Sequence, residues 1–134
     1  MSLCYGGFCQ KFVEDEEFVI YEYFSYNLRE NHFLFDEKIF DGFITIKKNF
    51  LIEPELKVNR KKSKKKFSKK IDVIQIIHTV YELIENGEIE IENCSDTWKT
   101  DDNGIDVICY QLCIKIFIDY QNAGSLPEKC VVHF

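Results

Sequence analysis

The sequence has no apolar run of the roughly eighteen residues that a helix needs to cross a bilayer. Its first residues, MSLCYGG, lack the charged start and the apolar stretch of a signal peptide. Position 2 is Ser rather than the Gly of a myristoylation site, and Cys130 stands one place too early for prenylation. We therefore expect a cytoplasmic protein that makes no contact with a membrane.

Recognisable reaction motifs are missing as well. The sequence has no Gly-rich phosphate loop, no dinucleotide-binding fingerprint and no Gly-x-Ser-x-Gly nucleophile elbow. Its carboxylates are so numerous that no chosen pair is informative. We predict no catalytic residue and no cofactor, and we expect a protein that is not an enzyme. An enzyme with an unrecognised pocket is the third alternative, and it would need convergent Cys, His or carboxylate groups.

Six cysteines are an even number, which in a small secreted protein would suggest disulfides. Without an export signal we expect reduced thiols. Structural zinc sites use close cysteine pairs, commonly separated by two residues, and neither Cys4 with Cys9 nor Cys109 with Cys113 has that spacing. Buried, unreactive cysteines and no metal site are therefore predicted.

Most strand signals lie in the first fifty residues. Segments 17–26 and 39–46 are rich in aromatic and β-branched residues, which favour strands. Weaker or shorter strand candidates are 5–12, 32–35, 88–92 and 130–134. The EIEIE sequence of 88–92 alternates strictly, as a half-buried strand does.

One main helix is predicted over residues 71–86. Apolar residues recur there at spacings of three and four, and Gly87 follows the last of them. They are Val73, Ile74, Ile77, Val80, Tyr81 and Ile84.

Segment 107–120 fits two patterns. A helix would collect its polar residues in one narrow stripe, whereas a strand would place seven apolar or aromatic residues on one face. The β-branched content, together with a tight turn expected at Asn103 and Gly104, favours a strand in a long hairpin.

With 134 residues, of which 46% are hydrophobic, the chain fits a single α+β domain over residues 1–134. We expect an antiparallel sheet of about five to seven strands with the helix packed on it.

The charges are strongly segregated. Residues 57–70 (KVNRKKSKKKFSKK) hold nine basic residues and no acid, which leaves eight basic and twenty-three acidic residues elsewhere, a difference of −15. Blocks of like charge are commonly solvated, so we predict a basic flexible loop at 57–70. Alternatively, Lys61, Lys62, Lys64, Lys65 and Lys66 bind nucleic-acid phosphates. Only one aromatic residue, Phe67, would be available there for base stacking.

The acidic remainder supports the leading hypothesis, a small non-enzymatic interaction protein that binds a cationic protein partner. One version is an inhibitor of the immunity type, which masks its target. The candidate contact residues are the acidic groups and the single tryptophan of three segments: Glu14, Asp15, Glu16, Glu17, Glu88, Glu90, Glu92 and Trp98. The oligomeric state stays open, and a homodimer through an edge strand at 107–120 is one arrangement.

Overall fold

A computed structural model describes residues 5–27, 39–51, 65–95 and 97–133. Within these ranges the chain forms one antiparallel sheet of five strands and two α-helices, so the predicted α+β class is confirmed. The strands are β1 (Tyr5–Glu14), β2 (Phe18–Asn27), β3 (Gly42–Lys47), β4 (Ile89–Glu92) and β5 (Lys129–His133). The helices are α1 (Lys65–Glu85) and α2 (Val107–Ala123). The strand candidate at 32–35 lies outside the described ranges.

The strand order in the sheet is β4-β3-β2-β1-β5. Strands β1, β2 and β3 follow one another as an antiparallel meander, whereas β5 returns from the far end of the chain to pair with β1. Strand β4 lies at the opposite edge and pairs with β3. The aromatic and β-branched residues of β2 and β3 therefore lie in the middle of the sheet, where both strand edges are paired.

One face of the sheet carries most of the core. Directly paired residues of antiparallel strands share a face, and the pairs Tyr21 with Ile44 and Cys9 with Tyr23 are almost fully buried. Helix α2 packs on this face against β1 and β5, and α1 packs against α2 and β4. Within the described ranges, neither helix is both long enough and apolar enough to cross a membrane.

Segment 107–120 is a helix, and the predicted strand and long hairpin are wrong. The buried Asp106 caps α2 by accepting a hydrogen bond from the Ile108 amide, and Gly124 ends it in the left-handed conformation. The expected turn does form, with the Gly104 amide donating to the Asp101 carbonyl at 3.0 Å. The strand-like pattern arose because α2 is covered by the sheet and by α1, so it buries apolar residues around most of its circumference.

Helix α1 begins at Lys65, six residues before the predicted start, so residues 65–70 of the predicted loop are helical. Lysine has a high helix propensity, and α1 contains neither Gly nor Pro. Gly87 follows the helix with a φ of 80°, as predicted. Residues 57–64 lie outside the described ranges.

The buried stripe of α1 is narrower than the apolar pattern suggested. From residue 73 onward, where its side chains are described, the buried residues are Ile76, Val80, Leu83 and Ile84. Ile74 and Tyr81 belong to the predicted apolar set, yet they are 61% and 43% exposed. The main described contacts of α1 are with α2 and β4, and these two residues face away from that packing, so Tyr81 becomes available at the surface.

Gly7 sets how closely α2 approaches the sheet. A Cβ atom at this position of β1 would lie 2.6 Å from Cγ2 of Ile108 and 3.3 Å from Cδ1 of Leu112. Both residues belong to the first turns of α2. The missing side chain therefore lets the helix start rest directly on the backbone of β1.

Candidate functional site

The first candidate segment, residues 14–17, forms the turn between β1 and β2. Asp15 accepts hydrogen bonds from the backbone amides of Glu17 and Phe18 at 2.8 Å each, and these bonds lower the pKa of its carboxyl. Glu14 forms ion pairs with Lys11 at 2.8 Å and Lys48 at 2.6 Å, and its pKa is lowered chiefly by the hydrogen bond from Lys11. Asp15 therefore has its partners within the turn, and Glu14 has its partners in β1 and just after β3.

Glu16 and Glu17 are exposed at the same turn. They line a surface hollow of about 400 Å³ together with Phe18, Lys47 and Asn49. This hollow presents two carboxylates to solvent, and they are the part of the first segment best placed to meet a partner.

Strand β4 carries the second acidic segment. Glu90 and Glu92 are exposed and pair in register with Thr45 and Phe43, while Ile89 is buried, so the alternation predicted for EIEIE is confirmed. Because β4 is an edge strand, both glutamates lie at the sheet border, where charge discourages pairing with other strands.

The turn at 14–17 and Glu88 lie at the same end of the sheet. Phe18 pairs with Lys47, and Ile46 pairs with Ile89, so the start of β4 is level with the start of β2. Two strand spacings separate β2 from β4, a distance of about 10 Å. The fold thus places these two predicted acidic segments on one border of the sheet.

Trp98 does not join these acids. Its ring lies 5.1 Å from that of Tyr5, between ring centroids. Tyr5 starts β1 and Glu14 ends it, so about 30 Å of strand separates the two positions. The ring is half-buried, and within the described ranges its buried Nε1 has no hydrogen-bond partner.

Of the lysines proposed for nucleic-acid contact, Lys61, Lys62 and Lys64 lie outside the described ranges, and Lys65 and Lys66 begin α1. Outside residues 57–70, the sequence has eight basic and twenty-three acidic residues. The described ion pairs among them join Lys11 to Glu14 and Glu128, Lys48 to Glu14, and Lys115 to Asp119. The chain outside 57–70 is therefore strongly negative.

A cleft between the end of α1 and the start of α2 has no counterpart in the sequence predictions. Its volume is about 290 Å³, and its described lining residues are Tyr81, Glu85, Asp101, Val107, Tyr110 and Gln111. The Tyr81 and Tyr110 rings meet edge to face with centroids 4.9 Å apart. The cleft was missed because Tyr81 was expected in the core and Tyr110 in a strand.

Asp101 is the better anchored of the two acids in the cleft. Its Oδ1 accepts hydrogen bonds from the amides of Asn103 at 2.8 Å and Ile105 at 3.0 Å, and its Oδ2 accepts one from the Tyr110 hydroxyl. The bond from Tyr110 is the main cause of a lowered pKa at Asp101. Burial raises the pKa of Tyr110, so the phenol stays protonated and donates.

A buried polar network lies behind the start of α2. Oδ2 of Asp106 accepts hydrogen bonds from the hydroxyls of Tyr23 at 2.8 Å, Ser25 at 3.1 Å and Thr97 at 3.2 Å. The Tyr23 hydroxyl also accepts from the Cys94 amide at 3.0 Å. Burial raises the pKa of Tyr23, which keeps this donor protonated. The network is enclosed and joins β2, the segment after β4 and α2, so its role is structural.

The five described cysteines, Cys9, Cys94, Cys109, Cys113 and Cys130, are buried free thiols, which confirms the predicted burial for them. Burial raises the pKa of Cys113 to about 12 and that of Cys109 well above its usual value. Cys9 and Cys130 are paired in register across β1 and β5. In the described part of the chain, no group of three or more Cys, His, Asp or Glu residues is arranged to hold a metal ion.

Comparison with known proteins finds no matching family model, no matching curated protein and no matching solved structure.

Proposed function

We propose that this chain is a small interaction protein whose acidic surface binds a cationic protein. The observation that carries the proposal is the segregation of charge along the chain, because the residues outside 57–70 include twenty-three acidic and only eight basic side chains. Complementary charge accelerates the encounter with a basic partner and repels acidic competitors. An inhibitor of the immunity type, which masks a basic target, is the specific version we favour.

The border formed by residues 14–17 and Glu88 supplies the first contact in this proposal. Glu14 and Asp15 hold the turn in shape through their partners, which leaves Glu16, Glu17 and Glu88 to meet cationic groups. A rigid turn presents its charges at fixed positions, so little conformational freedom is lost on binding. The partner is thus expected to carry basic side chains that match this spacing.

The test is retention of a partner by the immobilised protein from extracts of the cells that make it, followed by reconstitution of the purified pair. A variant with Glu16, Glu17, Glu88 and Glu90 changed to Gln is expected to bind about tenfold more weakly at low salt, because exposed charge pairs contribute about 0.2–1 kcal/mol each. The matched control changes the exposed Lys99 and Lys129, which do not line the hollow at the 14–17 turn, to Gln, and it should bind at least as tightly as the wild type.

Failure to retain any protein at low salt would contradict the proposal. Equal affinity of the acidic variant and the wild type for the reconstituted partner would also contradict it. Retention of nucleic acid instead, abolished when Lys61, Lys62, Lys64, Lys65 and Lys66 are changed to Ala, would favour the alternative function.

A further inference from the structure

We propose that the cleft between α1 and α2 binds an arginine side chain of the cationic partner. The biological occupant rests on the proposed function, whereas the chemistry of the cleft can be tested without it. The cleft has a volume of about 290 Å³. Pockets for drug-sized ligands start at roughly 300 Å³, so a single long side chain suits this space better than a larger molecule does.

The aromatic part of the cleft suits a planar cation. Tyr81 is 43% exposed and meets Tyr110 edge to face, with ring centroids 4.9 Å apart. Aromatic faces attract cations, and a guanidinium stacks on them better than an ammonium does. The neighbouring Val107 side chain offers an apolar surface for the methylene groups of an arginine.

The charges in the cleft favour the same ligand. Glu85 and Asp101 line the cleft with two carboxylates, and no basic residue is among its described lining residues. Asp101 is held by three hydrogen bonds, so its position is fixed before a ligand arrives. Glu85 is exposed at the last residue of α1, where it can turn towards a guanidinium.

The helix ends agree with this polarity. The carbonyl end of α1, at Glu85, carries a partial negative charge that favours a cation. The start of α2 would favour an anion, but the Asp106 carboxylate already caps it and accepts from the Ile108 amide at 3.0 Å. Three carbonyls at the end of α1 already accept hydrogen bonds from the amides of Asn86, Gly87 and Glu88. This helix end therefore adds only a weak attraction for a cation, while the positive end of α2 has its own counter-charge.

The test is a nuclear magnetic resonance titration of the full chain with N-acetyl-arginine methylamide. The uncharged control ligand is the citrulline analogue, which has nearly the same shape. We expect saturable shifts at the amides of the residues that line the cleft, and much smaller shifts with citrulline. Tyr81→Leu and Glu85→Gln should each weaken arginine binding about two- to fivefold, since each loses one exposed interaction with the cation.

Two matched variants distinguish binding in the cleft from a general attraction of the acidic surface for cations. Tyr81→Phe keeps the aromatic ring, and Glu82→Gln removes an exposed charge of the same helix that does not line the cleft. Both should bind the arginine analogue as the wild type does. Equal shifts with citrulline, shifts spread over carboxylates elsewhere, or unchanged affinity in Tyr81→Leu would overturn the proposal.

The reconstituted partner distinguishes the two proposals. If the partner binds the wild type and Tyr81→Leu with equal affinity, the cleft proposal fails while the proposed function stands. If the arginine analogue binds in the cleft but no cationic protein partner is found, the proposed function fails while the cleft assignment stands.

Discussion

Replacing Asp106 by Ala should destabilise the fold strongly, because one carboxylate serves both a helix start and a buried network. Its Oδ1 caps α2, and the loss of such a cap lowers the free energy of unfolding by about 1 kcal/mol. Its Oδ2 accepts from Tyr23 in a fully buried setting, and a hydrogen bond to a charged group contributes about 1.5–3 kcal/mol. We expect a total loss of about 3 kcal/mol.

Urea unfolding followed by far-ultraviolet circular dichroism measures this loss. Because a domain of this kind has about 5–15 kcal/mol of stability, Asp106→Ala leaves a marginal protein. Asp106→Asn keeps the acceptor for the Ile108 amide and should lose about half as much. The control is Asp102→Ala in the adjacent turn, which removes an exposed carboxylate and should change stability by less than about 0.5 kcal/mol.

A double-mutant cycle tests whether the Tyr23 hydroxyl acts through Asp106. Tyr23→Phe alone should lower the free energy of unfolding by about 1.5–3 kcal/mol. Its effect should be smaller in the Asp106→Ala background, because the hydrogen bond is already lost there. A loss below about 1 kcal/mol for Asp106→Ala, or additive effects of the two changes, would refute the reasoning.

Three further predictions concern packing and pH. Gly7→Ala should lower the free energy of unfolding by about 1–3 kcal/mol in urea titrations, because the added Cβ would press on Ile108. The control is Ser125→Ala at an exposed position. An equal effect of both changes would contradict the packing argument. The pKa of Glu14 is lowered in the folded protein, so its contribution to stability is complete above the unfolded value of 4.5 and is lost as pH falls through the folded pKa. Glu14→Gln should therefore make stability fall less steeply at acid pH. An unchanged acid limb of the pH–stability curve would exclude this role. Burial raises the pKa of Cys113 to about 12 from an unfolded value of 9.0, so its contribution to stability is complete below pH 9.0 and is lost as pH rises towards 12. The free energy of unfolding of Cys113→Ala should therefore decline less steeply at alkaline pH than that of the wild type. An equally steep decline would argue against this role.

Local patterns predicted the sheet better than they predicted the helices. The alternation in β4 and the β-branched, aromatic content of β2 are local properties, and both strands form where expected. Helix α2 was missed because its environment, not its own periodicity, decides how many of its sides are buried. A segment whose apolar pattern fits both a strand and a helix can be assigned only when the elements that pack against it are known.

The cleft shows why a site is harder to predict than a fold. The turn at Asn103 and Gly104, next to Asp101, was predicted correctly, but Tyr110 was assigned to a strand, and Tyr81 was assigned to the core. Their meeting depends on how the end of α1 lies against the start of α2, which no sequence spacing expresses. The acidic segments, in contrast, were identifiable because charge is visible in the sequence even when its arrangement is not.

The pairing of β5 with β1 has a consequence for how a newly made chain folds. The pair Gly6 and His133 joins residues that lie 127 positions apart, so β1 is made long before its neighbour exists. Until β5 emerges from the ribosome, the ten-residue β1 is an unpaired edge that other strands could join. Pairing along this edge of β1 thus depends on the last of the five described strands, and a chain in which β5 has not yet formed should be the form that most needs a chaperone.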